Sequence, residues 1–425
     1  MSPVADLAPA RGWQLTLDGL FGGFGVLACL LLFVGVLKSL PGVARAPIDI
    51  TPVLFGLTAL HLAFALACRR YVLAPAVPVL FGLHAALALL AVLSAGVSQG
   101  REIFPDKLRD LVLVAPAMLT IGVAVAADPR AFRRFLLAAK VIGPLMGAFI
   151  AAAFSLGLVD VVIQFGGRGS VATQRVQYQI TNLLLALAAS SYAVAVLRTR
   201  GVLRLANVAM AMLVAIAALI PGGRAGFVGL VLATILAPCL VLWHRGQRAR
   251  AAGVLLLLAG LGTMAVAVLL ASSQLASGLR TVERFTQGGI GESSARLPLW
   301  RAAFALIAQN GPFGVGFGAY TPSAGWGTAR DLYPHNVFIE ALVELGLPGF
   351  VLYVGIWATA GLGWLAAGRR AGAEQWAASA ALGLIMLIMI SVSTDLGNPL
   401  PWFALGVLAG SGVGSASRWP PAPVP

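Results

Sequence analysis

Apolar residues run along this chain in long stretches separated by short polar breaks. A membrane-crossing helix needs roughly 20 mostly apolar residues, and about twelve segments approach that length. They lie near 19–39, 50–68, 72–95, 110–127, 135–157, 178–197, 202–220, 224–243, 251–272, 336–365, 375–392 and 398–415. One break is long and mixed in polarity, residues 273–335 between the ninth and tenth stretches. The pattern predicts an all-α polytopic membrane protein, a single integral domain over 1–425 with 273–335 as a long loop. Long ordered loops usually carry function.

Within that loop, Leu275, Leu279, Val282 and Phe285 recur at helical spacing, with Arg280, Glu283 and Arg284 on the other side. This predicts a short amphipathic helix on the membrane surface. Ser293 and Ser294 can then cap a second helix, whose apolar stripe comprises Leu299, Trp300, Ala303, Phe304 and Ile307. The glycine run GVGFGAY (314–320) lacks a preceding strand and reads as a loop, with an anion-holding backbone nest as a further reading. The halves show no internal repeat of the kind that inverted-repeat transporters carry.

Composition agrees with the pattern. The chain is 59% hydrophobic and 10% charged, against about 25% charged residues in a soluble domain. The net charge of +14 does not point to nucleic acid, because no aromatic-studded basic face accompanies it. Instead the arginines cluster in alternate connections: Arg69/Arg70, Arg130/Arg133/Arg134, Arg198/Arg200/Arg204, Arg245/Arg248/Arg250 and Arg369/Arg370. The positive-inside rule makes these connections, and with them both termini, cytoplasmic. The first apolar run reads as a retained span, with no cleavage site after it. Cys29, Cys68 and Cys239 fall in or beside apolar runs without metal-ligand spacing and read as small core residues.

The other connections then face outward, and some carry cations in unusual settings. Arg175, Gln179 and Asn182 share one helix face running into the sixth stretch, with Tyr178 beside them. Such a stripe either lines a cavity or holds an arginine that snorkels to water. Arg224 follows Pro-Gly-Gly at the start of the eighth stretch. A cation there opposes the helix dipole unless an anion joins it, held by the guanidinium and free backbone N–H groups. The alternative is a solvated loop arginine. Arg296 lies four residues before Trp300, on the side of the apolar stripe; it faces inward, or pairs with Glu283 or Glu292. Arg301 lies off the stripe. Several inward guanidiniums suit a diphosphate, whose oxygens they match geometrically. A lipid tail on that diphosphate would explain why the site belongs in a membrane.

The segment PHNVFIEALVELGLPGF (334–350) sets His335 and Asn336 directly before a long apolar stretch that also carries Glu340 and Glu344. An imidazole titrates near 6.5 and can accept a proton close to neutral pH; neighbouring arginines favour its neutral form. His335 therefore reads either as a general base or as a structural residue ahead of an Asn336 cap. The outward face offers no acidic pair at ligand spacing, no Asp-x-Asp and no second histidine near the first, so no metal or cofactor is expected.

Three motifs together resemble one family. PHNVFIEALVELGLPGF resembles the His-Asn segment entering a late span of bacterial O-antigen ligases and polymerases. GGRAGFVGL resembles their arginine motif at an earlier span, with Gly-Gly where many members have serines. RLPLWRAAFALIAQNGPFGVGFGAY resembles their R-x3-W segment and following Gly-rich stretch. The resemblance implies a GT-C-like fold and a periplasmic active site in the inner membrane. The implied reaction is metal-independent, inverting glycosyl transfer from an undecaprenyl diphosphate-linked glycan to a sugar hydroxyl of lipid A–core. It also implies His335 as base and Arg224 and Arg296 as diphosphate ligands. Arg175 is carried by position, and Asp395 matches an acidic residue between the last two spans. An O-antigen polymerase is the second reading, although the 158–177 connection is short for its usual pair of large loops. A lipid-linked oligosaccharide flippase or transporter is the third; it predicts charges at mid-membrane, which the spans largely lack.

Overall fold

The computed structural model describes residues 23–38, 40, 43, 47–156, 178–221, 223–271, 279, 282, 296–328, 332–368 and 370–417. Each of the predicted apolar segments contains a helix. In chain order these are α1 (Gly23–Leu32), α2 (Ile50–Cys68), α3 (Ala76–Leu93), α4 (Phe104–Ala127), α5 (Pro129–Ser155), α6 (Tyr178–Val196), α7 (Gly201–Ala217), α8 (Arg224–His244) and α9 (Arg248–Ala271). After α10 (Arg296–Asn310) come α11 (Val337–Ala367), α12 (Ala373–Val392) and α13 (Pro399–Gly410). Eight of the described helices are long and apolar enough to cross a membrane, and α1, α7 and α13 are shorter apolar helices. The fold is an all-α polytopic membrane bundle.

Burial sorts the helices. Leu183 to Ala189 on α6 are all buried, as are the α13 residues from Leu400 to Gly410. A helix apolar all round must be enclosed, and these two are the centre of the bundle. Helix α13 lies against α4, and α6 against α5, α7 and α8. By contrast α2, α7 and α9 turn Leu60, Leu205 and Leu256 outward, as helices do when lipid rather than protein covers them.

The basic connections gather at one end. Glu374 pairs with both Arg198 and Arg245, and Gln375 Nε2 donates to the Ala126 carbonyl at 2.5 Å. A short antiparallel ladder, β1 (Arg69–Val72) with β2 (Gly414–Ser417), closes the same end. The opposite end holds the 94–103 connection, the start of α8, residues 311–328 and 332–336, and the α12–α13 turn.

Two expectations need correction. The fourth stretch was expected from residue 110, but its helix starts at Phe104 and passes through a π-helical stretch at Asp110–Val114. Lys107 therefore lies inside the helix. On α10 the buried positions are Leu299, Ala303 and Leu306, whereas Phe304 is exposed. The seven-residue spacing of 299 and 306 keeps the contact line straight; Phe304 falls to its flank.

Candidate functional site

The segment before α11 is built around Asn336. Its Oδ1 accepts from the backbone N–H groups of Phe338 and Ile339 at 3.0 and 3.1 Å, an N-cap. Its Nδ2 donates to the Ser391 carbonyl at the end of α12, at 2.9 Å. One side chain thus starts one helix and joins it to the end of another. Tyr333 repeats the attachment through its hydroxyl, which donates to the Ser393 carbonyl at 3.1 Å.

Between these two anchors His335 adopts a left-handed backbone, φ 54°; no other described non-glycine residue has positive φ. That conformation costs a side-chain-bearing residue about 1–2 kcal/mol. It persists because the anchored flanks impose it, and such outliers cluster at functional sites. The half-buried imidazole lies against the Tyr333 ring, with centroids 4.0 Å apart.

Helix α10 is tied to the same place. Trp300 Nε1 donates to the Pro334 carbonyl at 2.7 Å, and the Tyr320 hydroxyl donates to the Leu299 carbonyl at 2.6 Å. Burial of the Tyr320 phenol, with Glu344 nearby, pushes its pKa up and keeps it a neutral donor. Arg296 is half-buried one turn before Trp300, while Arg301 is exposed. The predicted partners Glu283 and Glu292 lie outside the described residues, as do Arg175 and the amphipathic stretch apart from Leu279 and Val282. Tyr178 begins α6.

Arg224 is the first residue of α8 and is half-buried. The preceding turn is held by Asn182, fully buried on α6, whose Nδ2 donates to the carbonyls of Ala218 and Gly223 at 3.3 and 3.1 Å. A Cβ on Gly226 would lie 2.4 Å from the Asn182 Cβ, so glycine is needed where the helices meet. Asn182 thus fixes where α8 begins rather than lining an open cavity.

The position of Arg224 relative to His335 follows from helix geometry. Gly229 on α8 packs against Ile385 on α12, and the pairing of Arg245 with Glu374 makes the two helices antiparallel. Five residues toward the helix start, about 7.5 Å at 1.5 Å per residue, Arg224 is level with about residue 390 of α12. Asn336 grips Ser391 at the same level. Arg224 and His335 therefore sit at one level, about the C-terminal end of α12, and the Trp300 bond to Pro334 ties α10 to the His335 segment.

Beneath this end lies a charge cluster. Lys107 Nζ is 2.5 Å from Glu340 Oε1 and 2.6 Å from Glu344 Oε2, with all three side chains buried. The second Glu340 oxygen accepts from the Leu396 N–H at 2.9 Å, and Glu344 Oε2 accepts from the Gly318 N–H at 2.9 Å. The glycine run is a loop whose N–H groups do not converge as a nest: Gly318 donates to the Glu344 carboxylate, Gly316 to the Glu344 carbonyl and Phe317 to Ser94 Oγ. Gly316 there has φ 97°, and a Cβ on it would meet Ser98 at 2.6 Å. Asp395 lies close enough to act electrostatically on Lys107 and Glu340. Among the described residues no three His, Cys, Asp or Glu side chains group as a metal site would require. Sequence reasoning noticed the two glutamates but missed Lys107; the one available signal was a lone lysine beside an apolar stretch, away from the basic clusters.

Comparison with known proteins bears on this end of the bundle. Residues 208–354 match the family described as O-Antigen ligase. No curated protein matches the chain significantly. This segment, which contains Arg224, Arg296 and His335, is what the chain shares with the O-antigen ligase family.

Proposed function

We propose that the protein transfers a glycan from an undecaprenyl diphosphate-linked donor to a sugar hydroxyl of a lipid A–core acceptor, at the periplasmic face of the inner membrane. His335 accepts the proton of the acceptor hydroxyl as its oxygen attacks the anomeric carbon. The bond from that carbon to the diphosphate oxygen breaks, and the electron pair leaves with the diphosphate. Arg224 and Arg296, with Arg175, meet the developing charge. A single displacement inverts the anomeric centre. Residues 273–335 form the outward loop of the single membrane domain, and the existing diphosphate ester supplies the driving force.

The observation that carries this reading is the convergence of three elements on the end of α12. The Asn336 cap holds His335 there, the Trp300 bond holds α10, and antiparallel packing on α12 brings up the start of α8. All three lie in the segment that matches the family.

The test is to incubate the purified protein with lipid-linked glycan, with and without lipid A–core. Core-dependent transfer with an inverted linkage is expected. Growth of the lipid-linked glycan without core would make the protein a polymerase; movement of donor between leaflets without transfer would make it a flippase.

A further inference from the structure

The end of the bundle opposite His335 carries two adjoining cavities of different character. One, of about 530 Å³, is an apolar groove between the start of α3 and the last turns of α11. It opens sideways from the bundle: flanking Val79 and Leu362 are 52% and 65% exposed. The other, of about 370 Å³, lies at the bundle end, lined by the 370–372 and 411–414 turns, residues 72–75 and Gln375. Both volumes fall in the range of ligand sites, roughly 300–1,000 Å³. Ala74, Pro75, Gly412 and Arg370 line both cavities, so they meet along one seam.

Arg370 decides what such a pair can take. It is exposed, and no described carboxylate pairs with it, whereas Arg198 and Arg245 nearby share Glu374. A guanidinium at the junction of an apolar groove and a more polar cavity presents an anion site next to a chain-sized slot. A free phosphate would use the first and leave the groove exposed to hydrocarbon; a zwitterionic headgroup would gain less from the cation.

We propose that this seam binds an anionic glycerophospholipid, its phosphate on Arg370 and one acyl chain in the groove between α3 and α11. The surroundings favour the negative charge further, because the basic connections of the chain gather at this end. The site is separate from the His335 end and does not depend on the reaction assigned there.

Lipid binding to the full-length protein in detergent tests this, read by native mass spectrometry with phosphatidylglycerol and phosphatidylcholine. Phosphatidylglycerol should bind more tightly. Arg370→Ala should weaken it about fivefold, the effect of one basic residue near an anionic lipid, and bring it to the level of phosphatidylcholine. Ala366→Trp, at an exposed groove position, should weaken both lipids. Inorganic phosphate should not displace the lipid. Both substitutions are at exposed positions, and unchanged thermal unfolding would confirm intact folds. Equal binding of the two lipids, no effect of either substitution, or displacement by phosphate would each overturn the site.

Discussion

Lys107 and Glu340 are separated by 233 residues of sequence, yet Nζ lies 2.5 Å from Oε1 in the interior of the bundle. Glu344 completes the cluster from the next turn of α11 at 2.6 Å. One ammonium and two carboxylates join α4 to the first turns of the helix that follows His335. Backbone N–H groups from Leu396 and Gly318 bring in the α12–α13 turn and the glycine-rich loop.

Removing the ammonium leaves carboxylates buried without their counter-charge, a change that costs about 3–5 kcal/mol. Lys107→Met should therefore unfold well below the wild type in detergent, as followed by intrinsic tryptophan fluorescence during heating. A melting curve that overlays the wild type would mean that the cluster contributes no net stability.

His335 combines an imidazole with a left-handed backbone, and two substitutions separate them. His335→Ala should abolish transfer while donor binding survives. His335→Gly should be equally inactive but at least as stable, because glycine adopts positive φ without the cost of about 1–2 kcal/mol. Full transfer by either variant would remove the general-base role.

Arg224→Ala and Arg296→Ala each delete a guanidinium assigned to the diphosphate. Charge-assisted hydrogen bonds contribute about 1.5–3 kcal/mol, so donor affinity should fall about tenfold or more. Binding of a fluorescent polyprenyl diphosphate would report this. Unchanged affinity in both variants would make both arginines structural.

Asn336→Ala removes the cap of α11 and the bond to Ser391 together. The cap alone is worth about 1 kcal/mol. Transfer should fall further than stability does, because the same side chain holds His335 against the end of α12. Asn336→Asp keeps the capping oxygen and loses the Nδ2 donor; it should retain the stability and lose activity. Equal losses of both in the Asp variant would refute this division.

A chelator should leave transfer unchanged, since none of the assigned roles calls on a metal ion. Inhibition by EDTA that added divalent cation reverses would overturn that assignment.

Much of the architecture was legible in the chain because one physical demand governs it. Backbone polar groups in hydrocarbon must be satisfied within the segment, so long apolar stretches are helices whatever surrounds them. Capping is similarly local, and Asn336 caps α11 as its place in the sequence implied. Placement of arginine clusters in alternate connections foreshadowed their gathering at one end. The sequence also located His335, Arg224 and Arg296 as unusual residues at helix starts, each defined by its immediate neighbours.

Tertiary structure alone decided which of these residues meet. Apolar helices have no alternating polar face to declare their partners, so nothing in the sequence pairs Lys107 with Glu340 or Asn182 with the turn before Arg224. The glycine run could have cradled a ligand; folding gave its N–H to Glu344. The backbone of His335 was equally hidden, because its positive φ is imposed by the bonds of Tyr333 and Asn336 to the end of α12. Local chemistry wrote the helices and their caps, and long-range packing, which no short stretch encodes, assembled the site.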